Sequence, residues 1–286
     1  MDLGQLSALA AVVDEGSFEA AAAALHVTPS AVSQRIKALE QSAGQVLVRR
    51  TKPTTVTAPG QVYLRLARQV DGLIREATTA TTAAEPGPVT VPIAVNADSM
   101  ATWVLPALAT LPAGICFDLH RDDQSRTADL LRAGTVMGAI TSVVEPVQGC
   151  RSTRLGVTRY RPMATPAFVE RWFAGGVTVD ALARAPMVVF DRTDDLQDRY
   201  LRRRSRRRLH PPRHHVPASA DFAEAVALGL GWAVLPREQS SGRDLVEIDP
   251  GQHVDVVLHW QQWTLQTPAL EAVAAAIREA AADHLL

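Results

Sequence analysis

Polar and basic side chains recur on one side of a predicted helix near the N-terminus, with types and spacing suited to reading nucleic-acid bases. Thr28 caps this helix, and Pro29 takes its first position, where the missing N–H costs nothing. A buried stripe at helical spacing is formed by Val32, Ile36, Leu39 and Ala43. The opposite side carries Ser30, Ser33, Gln34 and Lys37. Base edges in a major groove offer donors and acceptors that such side chains can match.

Further basic residues extend this side toward phosphate groups. From residue 28 to 75, eight basic residues face two acidic ones, Glu40 and Asp71, although the whole chain has a net charge of −1. Short β segments at 46–48 and 56 flank a basic turn that predicts a wing; a solvated turn is the alternative. We expect DNA contacts from Thr28, Pro29, Ser30, Ser33, Gln34, Arg35, Lys37, Arg49, Arg50 and Lys52.

Two earlier helices position the reading helix. Leu3, Leu6, Ala10 and Val13 give the first helix a buried stripe. Gly16 ends that helix, and Ser17 caps an alanine-rich second helix. An ordinary three-helix packing unit would show the same pattern.

The ordered motifs distinguish these alternatives. GSF, AAA and LHVTPSAVSQRIKALE, followed by Gly44, Arg49, Arg50, Thr57 and Gly60, resemble the winged helix-turn-helix of LysR-type transcriptional regulators. The resemblance implies an α/β fold with an all-α-rich N-terminal part: a winged helix-turn-helix, a long linker helix and a two-lobed effector domain of the type II periplasmic-binding-protein kind. It also implies a homodimer or homotetramer on double-stranded operator DNA, with RNA polymerase as a further partner.

The predicted domains are 1–58 for DNA binding, 59–87 for a linker helix with its hinge, and 88–286 for effector binding. The linker helix places Val62, Leu66, Val70 and Leu73 on one apolar face, which the resemblance assigns to dimerisation; packing within one chain is the alternative. The hinge is expected at residues 78–88, which are rich in Thr, Ala, Gly and Pro.

Strands and helices alternate from residue 89 onward, which predicts a mainly parallel sheet with helices on both faces. Strands are expected at 89–95, 116–120, 136–141, 187–190, 231–235 and 254–260, with a crossing strand at 160–164. Lobe I would span about 88–160 and 264–286, and lobe II about 161–263.

Candidate effector residues follow the carboxyl ends of these strands, where ligands of open α/β sheets bind. They are Asn96, Asp98, Ser99, Thr102, Asp122, Asp123, Thr141, Ser142, Asp191, Asp194, Ser219 and Asp221. Each could instead be a helix cap or a turn residue. Several carboxylates beside a helix N-terminus suit a ligand with one carboxylate and more than one positive charge. Its carboxylate would lie near Ser99 and Thr102.

A second resemblance specifies the ligand. AVNADSMATW, HRDDQSRTADLLR, LGVTRYRPMATPAFVERWF, FDRTDDLQD, HHVPASADF and LGLGWAVLP are similar to the regulators of lysine and arginine export, which respond to basic amino acids. This implies lysine or arginine as the effector and an exporter or related metabolic gene as the target. The arginine-rich segment LRRRSRRRLHPPRHH at 201–215 departs from the pattern, and its role stays open.

Other functions find little support. No apolar run is long enough for a membrane span, and the acidic start Met1-Asp2-Leu3 is unlike a signal peptide, so a cytoplasmic protein is expected. Neither nucleotide-binding nor hydrolase motifs occur, so no enzyme, cofactor or metal site is expected. The alternatives are a regulator of another ligand, a thiol sensor using Cys116 or Cys150, and a transport solute-binding protein.

Overall fold

The computed structural model describes residues 1–81, 88–122, 127–265 and 267–286, and for residues 75–81 and 122 it describes the backbone alone. The chain forms two compact units, each built from three pieces of sequence. Unit 1 comprises Met1–Val95, Leu111–Ser152 and Gln261–Ala274. Unit 2 comprises Asn96–Thr110, Thr153–Trp260 and Ala275–Leu286.

The elements alternate as predicted, with several additional short ones. The first part contains α1 (Leu3–Asp14), α2 (Phe18–Ala24), α3 (Pro29–Ala43), β1 (Val48–Arg49), β2 (Thr55–Val56) and α4 (Ala58–Thr81). The middle contains β3 (Val89–Asn96), α5 (Ala97–Ser99), a π-helical turn (Met100–Val104), α6 (Leu105–Leu108), β4 (Ile115–Asp122), α7 (Thr127–Arg132), β5 (Gly138–Thr141) and β6 (Cys150–Ala164). The last part contains α8 (Pro166–Phe173), α9 (Val179–Arg184), β7 (Met187–Val189), α10 (Leu196–Arg204), β8 (Arg213–His215), α11 (Ser219–Ala227), β9 (Ala233–Pro236), α12 (Arg237–Ser240), β10 (Val246–Glu247), β11 (Val254–Trp263) and α13 (Pro268–His284).

The N-terminal helices form where the sequence supplies caps. Ser17 accepts a hydrogen bond from the Ala20 N–H at 3.1 Å, and Gly16 has a φ of +72°, where a side chain would be strained. Helices α1 to α4 enclose one apolar core, whose largest members include Leu9, Ile36 and Leu39. This core holds α3 in place and leaves its polar side outward.

The sheets are mixed, so the prediction of a mainly parallel sheet is wrong in part. In unit 1, β3 pairs in parallel with β5; in unit 2, β7 pairs in parallel with β8. Strand β6, however, pairs antiparallel with both β9 and β10. Alternation predicts parallel pairing only for strands joined by successive crossovers. In the sequence, helices α8 to α11 separate β6 from β9. The alternation of strands and helices therefore could not predict the relative direction of these two strands.

Ion pairs within unit 2 account for much of the arginine-rich segment 201–215. Arg213 donates two hydrogen bonds to Asp198, at 3.0 and 2.7 Å, and Arg204 lies 3.0 Å from Asp249. Exposed pairs, which contribute little individually, add Arg202 with Asp195 and Arg207 with Asp180. Much of this charge is therefore matched by carboxylates of the same unit.

Neither membrane nor metal features occur in the described part of the chain. None of its helices combines the length and apolar character of a membrane span. None of its clusters of His, Cys, Asp and Glu could hold a metal ion.

Candidate functional site

Helix α3 presents a polar surface beside a fully buried stripe. The Thr28 hydroxyl accepts from the Ala31 N–H at 3.2 Å, with Pro29 in the first turn. Val32, Ile36 and Leu39 are completely buried. Gln34 and Lys37 are exposed, whereas Ser33 and Arg35 are half-buried. The exposed side of the helix, which carries Gln34 and Lys37, is therefore accessible to a DNA groove.

The wing between β1 and β2 is fastened to the helices and keeps its cations outward. The Thr54 N–H donates to the Gly16 carbonyl at 2.8 Å, and Glu40 Oε1 accepts from the Leu47 N–H at 2.8 Å. Arg50 stacks 4.9 Å above the ring of Phe18, which orients its guanidinium. Exposed basic side chains here are Arg49, Arg50 and Lys52.

Two arginines counted in the basic region have other contacts. The Arg65 guanidinium donates to the Gln148 carbonyl at 2.7 Å, and Arg68 pairs with Asp14. The basic surface beside α3 consequently rests on residues 35–52. The net charge of residues 28–75 overstated this basic surface, because the sequence could not show which arginines bind other groups of the protein.

A second candidate site lies in unit 2 around a carboxylate that receives three hydrogen bonds. Asp98 accepts from the Tyr160 hydroxyl at 2.8 Å, from the Ser219 hydroxyl at 2.6 Å and from Gln239 Nε2 at 2.8 Å. These four residues, here called the Asp98 cluster, come from α5, β6, α11 and α12. Ser219 and Gln239 are buried. Such a network fixes the position of the carboxylate.

Asp194 carries a partly buried carboxyl group near this cluster. It accepts from the N–H groups of Phe190 and Leu196, each at 3.0 Å. Burial, together with the charges of Asp98 and Asp191, raises its pKa to about 6. The two N–H donors oppose this shift without cancelling it. A cation placed beside Asp194 would relieve the cost of its charge.

Two buried oxygens of unit 2 have no hydrogen-bond partner among the described residues: Gln239 Oε1 and Asn96 Oδ1. The Nε2 atom of the same Gln239 amide holds Asp98, so its oxygen lies within the Asp98 cluster. Buried acceptors normally have partners. Both oxygens can accept from ammonium or guanidinium groups.

Two family descriptions match the chain. Residues 3–61 match the bacterial regulatory helix-turn-helix protein of the lysR family, and residues 89–282 match the LysR substrate binding domain. This chain belongs to the LysR family. It is a LysR-type DNA-binding regulator, in a family of transcriptional regulators rather than enzymes.

Particular LysR-type regulators are similar over nearly the whole chain. The transcriptional regulator LysG of Mycobacterium tuberculosis is 44% identical, covering 98% of this chain and 94% of that protein. The crystal structure of ArgP from Mycobacterium tuberculosis has a TM-score of 0.93 at 44% identity, covering 100% and 99% of the two chains. Full-length LysG from Corynebacterium glutamicum with bound effector Arg has a TM-score of 0.83 at 34% identity, covering 100% and 99%.

Within this LysR-type regulator, the predicted effector residues separate into distinct groups. Asp98 and Ser219 lie together, whereas Asp191 Oδ1 accepts from the N–H groups of Thr193 and Asp194, at 2.7 and 2.9 Å, within its own loop. Asp221 is exposed in the first turn of α11, where it complements the helix dipole. Thr141 and Ser142 belong to unit 1. The Asp122 side chain and Asp123 lie outside the described residues.

Ser99 and Thr102, the predicted carboxylate contacts, line a pocket of about 210 Å³ in unit 2 together with Asp98. Arg161 and Arg237 also line it and supply positive charge. Thr102 Oγ1 additionally donates to the Asp98 carbonyl at 2.7 Å. The pocket thus offers groups of both charge signs.

Tyr160 and Gln239 were absent from the predicted site. Gln239 follows a strand end, β9, so the rule that selected the other candidates could have included it. Tyr160 lies inside strand β6 and is almost fully buried, which no sequence pattern distinguishes from a core tyrosine.

Proposed function

We propose that this LysR-type regulator is an effector-gated transcription factor that binds arginine or lysine and controls an amino-acid exporter or a related metabolic gene. The partly buried Asp194 carboxyl group near the Asp98 cluster carries the proposal, because a cationic ligand would offset the cost of its negative charge. Regulators named LysG and ArgP, one of them with bound effector Arg, support the same ligand class. Because its operator DNA would lie in the cytoplasm, we expect the protein there.

In this proposal, the cationic end of the ligand reaches Asp98 and Asp194 and donates to Gln239 Oε1. The α-carboxylate lies toward Ser99 and Thr102, near Arg161 and Arg237. A desolvated, multiply hydrogen-bonded charge pair contributes strongly to affinity. Neutral or acidic amino acids would leave the carboxylates uncompensated.

Titration calorimetry and thermal melting with arginine, lysine, leucine and glutamate test the effector directly. We expect heat of binding for arginine or lysine only. Saturation at a hundred times the dissociation constant should add about 2.7 kcal/mol of stability. Binding of leucine or glutamate alone would replace the proposal by a different ligand.

Sensing through a thiol is the second candidate function, and the structure does not favour it. Burial raises the pKa of the Cys150 thiol to about 11, although Arg65 opposes the shift. A thiol with such a pKa is protonated at neutral pH and reacts slowly with oxidants. Cys116 is exposed and free.

Gln34 is proposed to read a base in the major groove. Gln34→Ala should relax sequence preference at one base pair per half-site, since a bidentate amide–adenine pair contributes about 1–3 kcal/mol of discrimination. The measurement is relative affinity across single-base variants of a duplex that the wild-type protein selects from a random pool.

Arg50→Ala provides the matched control for Gln34→Ala. Loss of a phosphate contact should weaken all duplexes alike and reduce the salt slope by about 0.9. If Gln34→Ala behaved like Arg50→Ala, or kept every affinity ratio, Gln34 would not read a base.

Helix α4 is proposed as the dimer contact, and tetramers would form from such dimers. Val62 and Leu73 expose 58% and 44% of their surface, whereas Leu66 and Val70 pack partly against the N-terminal core. A substitution at Val62 or Leu73 therefore tests the dimer contact better than one at Leu66, which would also disturb the N-terminal core.

Val62→Asp should convert dimers to monomers in sedimentation velocity and weaken operator binding at least tenfold. A charge in an apolar contact is costly, yet the isolated fold should tolerate it at this exposed position. Exposed Leu228 supplies the control, as Leu228→Asp. A Val62→Asp protein that still sediments as the wild type would remove α4 from the interface.

A further inference from the structure

A glycine in unit 1 sits directly against the linker helix. Gly134, in the turn after α7, is buried and has a φ of +70°. A Cβ atom at this position would lie 2.7 Å from Arg65 Cα and 2.9 Å from Arg65 Cβ. Real Cβ contacts are longer, so the close approach of this turn to α4 depends on glycine.

Two arginines of α4 complete the contact. Arg65 Nη1 donates to the Gln148 carbonyl at 2.7 Å, and Arg68 Nη1 reaches the Thr135 hydroxyl at 3.4 Å. Arg68 also pairs with Asp14 at the end of α1. One side chain thus touches both a helix of the DNA-binding part and the turn after α7.

The docked turn is connected to the end of strand β5. At the start of α7, the buried Thr127 hydroxyl donates to the Ile140 carbonyl at 3.0 Å. Helix α7 then runs six residues from this bond and ends just before Gly134. Leu131 and Val136 pack in the core beneath it. A movement at the end of β5 would therefore be transmitted through α7 and displace the docked turn by a similar distance.

We propose that Gly134, Thr135 and Gln148 form a docking surface for α4, and that this contact sets the operator affinity of the DNA-binding helices. The surface recognises two guanidinium groups and a close-packed helix backbone. A displacement at the end of β5 would reach α4 through α7. The docking surface itself does not depend on where the effector binds.

Gly134→Ala tests the contact in the full-length protein. The control is Gly251→Ala, which has a similar positive φ of +87° but no neighbouring atom within 4 Å of the added Cβ. Both proteins are compared without amino acids by hydrogen exchange and by affinity for the selected duplex. We expect faster exchange at 62–70 and 130–150 and an operator affinity changed by about fivefold or more, the lower range of typical couplings, in Gly134→Ala only.

Arg65→Ala, with exposed Arg278→Ala as its control, gives the same readouts if Gly134→Ala does not fold. Exchange and operator affinity equal to the controls would overturn the docking surface. A separate titration with arginine distinguishes the two proposals. If arginine affects neither wild type nor variant, the effector assignment fails, while the results without amino acids still decide the docking surface.

Discussion

Asp194→Asn is expected to lower arginine or lysine affinity by ten- to a thousandfold, measured by titration calorimetry at pH 7.5. Asparagine keeps the size of the side chain but removes the partly buried negative charge, and a desolvated charge pair commonly contributes a few kcal/mol. The amide can accept one of the two N–H bonds from Phe190 and Leu196. Binding to the selected duplex should persist, because the site and α3 belong to different units.

The same residue should give binding a pH dependence. The carboxylate form is needed, so wild-type affinity for arginine should rise as pH increases through about 6 and then level off. Asp194→Asn should be flat relative to the wild type across this interval.

Stability without ligand should vary in the opposite sense. A native pKa raised from 3.8 to about 6 favours the protonated form by roughly 3 kcal/mol. That contribution to the free energy of unfolding is fully present below about pH 4 and is lost as pH rises through about 6. This contribution is measured by comparing urea unfolding of the wild type and Asp194→Asn below about pH 4 and above about pH 6.

Asp195→Asn is the control, because Asp195 is the next residue and its side chain is 58% exposed beside Arg202. It should change affinity less than twofold, as exposed pairs contribute little. Equal, mild effects of Asp194→Asn and Asp195→Asn on affinity would mean that Asp194 does not bind the effector, and would favour a ligand of another class.

Gly60→Ala is expected to unfold or severely loosen the DNA-binding part. A Cβ at Gly60 would lie 2.0 Å from the Leu47 carbonyl oxygen and 2.9 Å from its carbon. That oxygen also accepts the Thr57 N–H at 2.9 Å, so the backbone cannot move without losing a hydrogen bond. We expect a loss of about 3 kcal/mol or more, and at least a hundredfold weaker operator binding with arginine binding retained.

Gly72→Ala tests whether the effect is steric. Gly72 lies in the same helix, and no described atom lies within 4 Å of an added Cβ. Alanine there should stabilise α4 by about 0.5–1 kcal/mol. The comparison uses thermal melting followed by helical circular dichroism. Similar melting temperatures of both variants would mean that the Leu47 backbone can shift to accommodate a Cβ at position 60 without a large loss of stability.

The N-terminal fold was predictable because its signals are local. The hydroxyls of Ser17 and Thr28 each accept from the amide three residues on, and Pro29 stands in the first turn of α3. Gly16 and Gly44 both have the positive φ expected of helix ends. The helical period of residues 32–39 likewise separated the buried from the outward side. The linker helix, predicted within 59–87, forms at Ala58–Thr81.

The candidate effector site was only partly predictable because it depends on convergence. Asp98 meets Tyr160, Ser219 and Gln239 across sequence separations of 62, 121 and 141 residues. Rules about strand ends selected Asp98 and Ser219 together with Asp221, which is exposed in α11. Sequence spacing also gave no indication that Arg65 binds the Gln148 carbonyl and Arg68 the Thr135 hydroxyl instead of adding to the DNA surface.

Several hydrogen bonds of the loop at 190–196 are made within the loop itself. Asp191 binds the amides of Thr193 and Asp194, while Asp194 binds those of Phe190 and Leu196. Such a self-supporting segment can be exchanged between related proteins as one cassette, without rebuilding its surroundings. Directed evolution toward another effector could therefore vary the remaining loop positions while keeping Asp191 and Asp194, which hold the loop backbone, and the more widely tethered Asp98.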